Sequence, residues 1–352
     1  MKKLKLLAFC LLTILTLSLL FACQVKPRPA TKDDYTVTSI ESPYADVDFA
    51  VFNQYKSNLH SHTKRSDAKD TVADMLDTYE KLGFDIYTIS DHNKLSIRGT
   101  GLSTVNNRRV FLISATEVSY FHHFNAIFTD YLTTFNFFTY PLIDKHLKNS
   151  DALIFINHPG KRNRPDSYYH SLFSKYGDER VLGMEVFNHG NRYSTDRARY
   201  DRLLTYFAPD RRILGFSNDD AHEVARAGYN FDMLLLNAAS IDDVTEAATK
   251  SAIQKGEFFF GYFRKSADCP EGYVLKKDAS EMPRINSITV NPETLEISVN
   301  AENFDTAEWI SCSEVVGGNL SINVADKGLK RYVRLVLKNK TAELHTQPFL
   351  LK

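Results

Sequence analysis

Short apolar runs alternate with helix-spaced apolar positions along most of the chain. Val72, Met75, Leu76, Tyr79 and Leu82 recur three and four residues apart, which places them on one helix face, with Asp70 as cap and Gly83 as stop. Directly behind comes Phe84-Asp85-Ile86-Tyr87-Thr88-Ile89, a predicted strand that ends in Ser90-Asp91-His92. The same order recurs. The run 110–113 leads into Glu117, 152–156 into Asn157-His158-Pro159, 181–184 into Glu185 and Asn188, and 213–216 into Asn218-Asp219-Asp220-Ala221-His222. Helical candidates lie between, around 142–147, over 196–207 and over 241–254. The last opens on Ser240 with Asp243 three residues on, close to a capping box, and stops at Gly256.

Buried strands each followed by a helix build a parallel sheet with helices outside it. Six strand ends carry His, Asp or Glu, and in an α/β barrel those ends open on one face, where active sites are built. From residue 283 the pattern changes. The runs 285–290, 295–299, 307–312, 320–324, 332–337 and 349–351 read as strands, parted by turn residues such as Asn291-Pro292 and Gly317-Gly318. The expected organisation is a leader over 1–22, a linker over 23–50, an α/β barrel over 51–265, a second linker over 266–282, and a small all-β, sandwich-like domain over 283–352.

Composition narrows this picture. Lys and Arg number 43, as do Asp and Glu, so neither a nucleic-acid footprint nor an acidic tail is implied. Lys2, Lys3 and Lys5 precede an apolar run over 6–22 that ends in Leu20-Phe21-Ala22-Cys23. That end resembles the lipobox of bacterial lipoproteins. The resemblance implies a lipidated Cys23 and a protein tethered by acyl chains in the cell envelope, periplasmic or at the cell surface. Cys10 would leave with the leader. Cys269 and Cys312 then remain, either as a disulfide between the two domains or as free thiols.

The candidate chemistry begins at His60-Ser61-His62, where two imidazoles on one face of an extended run make a ready pair of metal ligands. With Ser66-Asp67, Ser90-Asp91-His92, Asn157-His158-Pro159 and Asp220-Ala221-His222 it resembles the four motifs of the PHP (polymerase and histidinol phosphatase) superfamily, in order, over about 55–261. Two departures stand out: Ala68 follows Asp67 where glycine is common, and Ser90 stands where threonine is usual.

The resemblance implies a distorted seven-stranded α/β barrel holding two or three divalent ions of Mn, Fe or Zn. Carried over, His60, His62, Glu117 and Asp220 bind one ion. Glu117 bridges to a second, shared with His123 and His158, and Asp67, His92 and His222 hold the third. His123 sits in His122-His123-Phe124-Asn125, similar to a Gly-His-x-Asn pattern, and His122 is the alternative ligand. Glu185 begins a segment that resembles the family's Glu-x-x-Asn; it reads either as a partner for a ligand imidazole or as a salt-bridged rim residue. Asp91 is expected to orient His92 or relay a proton. Lys161, Arg162 and Arg164 fall on a loop at the open face, where Arg162 suits a phosphate and where basic side chains are also commonly just solvated.

Clustered cations acidify water and polarise a phosphoryl group, so no side-chain nucleophile is required. Neither a G-x-S-x-G elbow nor a P-loop is present. The expected activity is hydrolysis of a small-molecule phosphoester, with no nucleic-acid partner. A carboxylic or carbamate ester hydrolase and a non-catalytic metal- or ligand-binding lipoprotein are the alternatives.

Overall fold

A computed structural model describes residues 35–264 and 279–352. The expected leader, Cys23 and Cys269 lie outside the described residues, and with them the expected lipid anchor and the choice between a Cys269–Cys312 disulfide and free thiols. Cys312 is exposed. Among the described residues no helix is long and apolar enough to cross a membrane.

The strands run β1 (Ile40–Glu41), β2 (Asn53–Asn58), β3 (Ile86–Tyr87), β4 (Gly101–Val105), β5 (Arg108–Leu112), β6 (Ala115–Val118), β7 (Phe124–Ile127), β8 (Leu153–Ile156), β9 (Val181–Asn188), β10 (Leu214–Asn218), β11 (Asn230–Leu236) and β12 (Phe258–Phe263). They continue as β13 (Arg284–Asn291), β14 (Glu296–Glu302), β15 (Thr306–Ser311), β16 (Glu314–Gly317), β17 (Ser321–Asn323), β18 (Arg331–Lys338), β19 (Ala342–His345) and β20 (Phe349–Leu351). This is a mixed α/β protein with large sheets. A five-stranded sheet has the order β10-β9-β8-β7-β6, and a twelve-stranded one contains β12-β11-β2-β3-β5-β4. No single sheet closes on itself.

The two sheets meet at the strand ends. Ser61 bridges Ala221 and His92 bridges Glu117, both in parallel register. Around these bridges the Asp220 N–H donates to the His60 carbonyl at 2.9 Å, and the Glu117 N–H to the Ser90 carbonyl at 3.0 Å. Backbone pairing therefore passes from the end of β10 to that of β2, then β3, then β6.

Three expectations are corrected. The strands are not all parallel: β6 pairs with β7, and β7 with β8, antiparallel, so Glu117 lies within a hairpin strand and not on a loop after the run 110–113. The helix over Val72–Lys81 is capped by Thr71, whose side chain completes a capping box with Asp74; Asp70 instead accepts the Val224 N–H. The pattern over 241–254 is two elements. Ser240 and Asp243 cap a single 3-10 turn, Val244 is extended, and Thr245 caps a fresh helix over Glu246–Lys255 that ends at the left-handed Gly256. A local polar cap outcompetes continuous apolar spacing there.

The C-terminal strands do not stand apart. β19 pairs with β12 and β18 with β19, so the twelve-stranded sheet runs through residue 263 and on into 331–351 without a break. Only β13, β14 and β17 form a separate three-stranded sheet. The expected linker over 23–50 is likewise packed in its described part: Val37, Tyr44 and Val47 are buried, and β1 pairs with β20. A fully buried, bidentate ion pair between Arg334 on β18 and Asp201 on the helix Thr195–Phe207 (2.8 and 2.9 Å) fastens these strands to the helical layer.

Candidate metal centre

Most ligand candidates sit close to a strand end that the backbone pairing fixes, while Asp67 lies on the turn that follows His62. His60 and His62 follow β2, where parallel pairing to 220–221 sets their spacing: the His62 N–H donates to the Ala221 carbonyl at 2.9 Å. The Nε2 atoms of His60 and His62 are 3.0 Å apart. Both face Glu117 Oε2, at 3.5 and 3.3 Å, and Asp220 Oδ1, at 3.4 and 3.1 Å. Four donors around one ion at about 2.1 Å stand about 3.4 Å apart, so this spacing fits a coordination shell. The other oxygen of Glu117, Oε1, meets His123 Nδ1 at 2.9 Å and His158 Nε2 at 3.1 Å. One carboxylate thus faces two ligand groups. His92 Nδ1 approaches its Oε2 at 2.7 Å, while His92 Nε2 and His222 Nε2 lie 3.4 and 3.3 Å from the two oxygens of Asp67.

Three groups of ligand atoms result, each within 4.8 Å: His60, Glu117, His158 and Asp220; His62, Asp67, His92 and His222; and His92, Glu117 and His123. All nine residues expected as ligands converge. The first group is entirely buried, and the second opens to solvent through Asp67. Glu117 Oε2 is buried with only imidazole nitrogens of His60, His62 and His92 facing it and none in good hydrogen-bond geometry, a setting that suits a shared cation.

The electrostatics point the same way. Burial alone would depress both imidazoles; the surrounding carboxylates outweigh it and carry His60 well above its ordinary range and His62 to about 9. Burial would likewise raise Glu117 and Asp220, yet the facing imidazoles hold both carboxyls well below theirs. Protons shared in this cluster occupy the place of positive charge, and a divalent ion competes with them directly.

The supporting residues are specific. Glu185 on β9 takes His60 Nδ1 at 2.8 Å, leaving Nε2 for the centre, and its other oxygen accepts the His158 N–H at 2.8 Å. It is the imidazole partner, not a rim salt bridge. Asn157 donates to Glu117 Oε1 at 2.9 Å and is itself paired with Asn125. Asp219, beside ligand Asp220, accepts the N–H groups of Gly228, Tyr229 and Asn230 and points away. Both Asp220 and His158 hold positive φ, 49° and 27°, a strained backbone that aims them inward.

The expectation for Asp91 is corrected. Its carboxylate is buried and accepts from the Thr63 N–H and hydroxyl and from Ser66, at 2.6–2.7 Å, and from Ser96. It secures the loop between His62 and Asp67, while both His92 nitrogens face Asp67 and Glu117 instead. His122 is buried against Tyr168 and Tyr169 with neither ring nitrogen bonded, whereas His123 faces Glu117. Arg162 donates toward His123 Nε2 at 3.3 Å. A second arginine stands near the centre: the Arg192 guanidinium lies 3.9 Å from Asp220 Oδ2. No spacing rule marks it, because it reaches the centre from a turn beyond β9.

No family model and no curated protein matches this chain. Solved structures match at low identity. A two-domain protein from Bacteroides vulgatus, described as containing a predicted PHP-like metal-dependent phosphoesterase, is 14% identical with a TM-score of 0.47, over 90% of this chain and 91% of that one. PsfC from Pseudomonas syringae is 14% identical with a TM-score of 0.39, over 57% and 88%. The lesion-specific endonuclease PfuEndoQ from Pyrococcus furiosus is 16% identical with a TM-score of 0.39, over 57% and 56%. At such scores the ligand geometry, and not the likeness, identifies the centre. The residues that resemble the PHP motifs are the ones that meet in it.

Proposed function

We propose that this protein is a divalent-metal-dependent hydrolase of phosphoesters of the PHP type. The observation that carries the reading is Glu117, whose two oxygens each face a separate set of imidazoles inside one cluster of nine ligand residues. His60, His62, Glu117 and Asp220 would hold one ion, Glu117 with His123 and His158 a second, and Asp67, His92 and His222 a third. Bound ions of Mn, Fe or Zn supply Lewis acidity and make water acidic enough to attack near neutral pH. The chain's own part is to place them, to exclude bulk water from the deep group, and to present Arg162 and Arg192 at the mouth to the phosphate.

A distorted seven-stranded barrel is the architecture that goes with this reading. Its support is the run β10-β9-β8-β7-β6 together with the paired β2 and β3, joined at both seams by the bridges Ser61–Ala221 and His92–Glu117. We place the protein in the cell envelope through lipid on Cys23; Cys23→Ser should shift it from membranes to the soluble fraction.

The deciding experiment is elemental analysis of the purified protein with turnover of a phosphoester panel and aryl carboxylic esters in Mn, Zn and Fe. Phosphate release abolished by His60→Ala with His62→Ala is expected. Turnover of the carboxylic esters alone would instead favour carbonyl hydrolysis, and stoichiometric metal with no turnover a binding protein.

A further inference from the structure

Beside the centre stands a wall of rings that the ligands do not use. Tyr120 and Phe121 immediately precede His122-His123 in the turn between β6 and β7. The Cα of Phe121 is therefore two chain steps, at most about 7.6 Å, from that of His123. Phe121 is 40% exposed, Phe135 56% and Phe137 70%, and none of the three belongs to either hydrophobic core. Tyr120 meets Phe135 edge to face with centroids 5.4 Å apart, and Phe135 continues to Phe137 at 4.6 Å. Tyr120, Phe135 and Phe137 thus form one connected run of rings, and Phe121 follows Tyr120 in the chain.

Phe121 also meets charge in a particular way. The Arg164 guanidinium lies 4.8 Å from the centroid of Phe121 and 5.6 Å from that of Tyr168. Among the described residues Arg164 has no carboxylate partner. Arg162, two residues earlier, reaches His123 instead. One guanidinium is therefore set for an anion at the centre, and the next lies against a ring just outside it. A cation held over an exposed ring presents two surfaces that both favour a π-face, and a saturated group gains far less from either.

We propose that Phe121 and Arg164 form the subsite for the organic half of the substrate, and that this half is planar and unsaturated, a nucleobase or aryl ring joined to the phosphate. This rests on the phosphoesterase reading. A lipid surface or a second copy of the chain would also cover exposed rings. Phe121, however, lies two residues from a metal ligand and carries the Arg164 guanidinium against its exposed ring, an arrangement that neither a bilayer nor a second copy requires.

The test separates the subsite from the reaction. Benzylphosphonate and cyclohexylmethylphosphonate share an anion and differ only in the ring, and neither is hydrolysed. Their binding to the metal-loaded full chain is measured by calorimetry, beside kcat/KM for benzyl and cyclohexylmethyl phosphate and their methyl diesters. The wild type should favour the aromatic phosphonate about tenfold. Phe121→Leu should erase that preference by costing the aromatic phosphonate its advantage, with metal content unchanged, and Arg164→Gln should narrow it while weakening both anions. Equal binding of the two phosphonates by the wild type overturns the proposal, as does an equal loss of both in Phe121→Leu. Sedimentation with phosphatidylglycerol vesicles, or dimerisation, abolished by Phe137→Ser with no aromatic preference in the wild type, also overturns it. An aromatic preference in binding with no ester or diester turned over keeps the subsite and removes the phosphoesterase reading.

Discussion

Glu185 Oε1 lies 2.8 Å from His60 Nδ1 while Glu185 Oε2 accepts the backbone N–H of His158. One side chain on β9 therefore fixes two ligands that arrive from different strands. In Glu185→Gln the amide can serve only one of these donors; turned to accept from His60, it presents its own N–H₂ to the His158 N–H. Metal affinity should fall 10- to 100-fold, read as residual metal after dialysis against graded chelator. Wild-type retention would mean that Glu185 does not organise the centre.

Gly160 is a second sensitive point. A Cβ there would stand 2.8 Å from Tyr193 Cβ and 3.1 Å from the Asp196 carboxylate, which accepts the Gly160 N–H at 2.8 Å. Gly160→Ala should displace the short helix Pro159–Arg162 and carry Arg162 away from His123. Phosphoester kcat/KM is expected to drop at least tenfold, with the thermal midpoint changed by only a few degrees. A silent substitution would show that Arg162 need not be held in place.

The buried Asp201–Arg334 pair carries no metal and tests the join between the sheets and the helical layer. Asp201→Asn leaves a buried guanidinium without its counter-charge and should destabilise the fold by about 3–5 kcal/mol, measured from denaturant midpoints. Metal bound per folded molecule should stay the same. If instead metal is lost while stability holds, the pair belongs to the centre and not to the scaffold.

Stability should also fall in mild acid, for a reason outside the metal centre. Burial pushes His146 down to about 4, helped by nearby Arg180, and His345 down to about 3. The unfolded imidazoles keep an ordinary value near about 6.5. Between that value and about 4 the unfolded chain binds protons that the native state refuses, so each residue removes up to about 1.4 kcal/mol per pH unit as pH falls. His146→Phe should flatten the decline in denaturant midpoint between pH 6.5 and 4.5. An unchanged slope would show that His146 protonates freely in the folded protein.

Much of the centre was legible from strand ends alone. A hydrophobic run closed by His, Asp or Glu needs only local sequence to be noticed, and His92, Glu117, His158 and Asp220 come together as that pattern implies, whereas Asp67 and His123 were legible only through the resemblance to the PHP motifs. What could not be read was how polar neighbours divide the work. Asp91 and Asp219 flank ligands and differ from them in their hydrogen-bond donors, among them Thr63 and Ser66 for Asp91 and Asn58 and Tyr79 for Asp219, all remote in sequence. The C-terminal strands were visible one by one. Their partner was not, because the β12–β19 pairing spans some 80 residues and β12 itself is too uniformly apolar for its period to show.

That long-range pairing bears on how the protein is made. β2 borders β11, and β12 acquires its outer neighbour only when residues 342–345 exist. A nascent chain leaving the ribosome would carry His60 and His62 long before Asp220, His222 or the closing strands emerge. The strand that leads into them is completed by partners far along the chain, and such non-local pairing favours slow folding and prolonged exposure of unpaired edges.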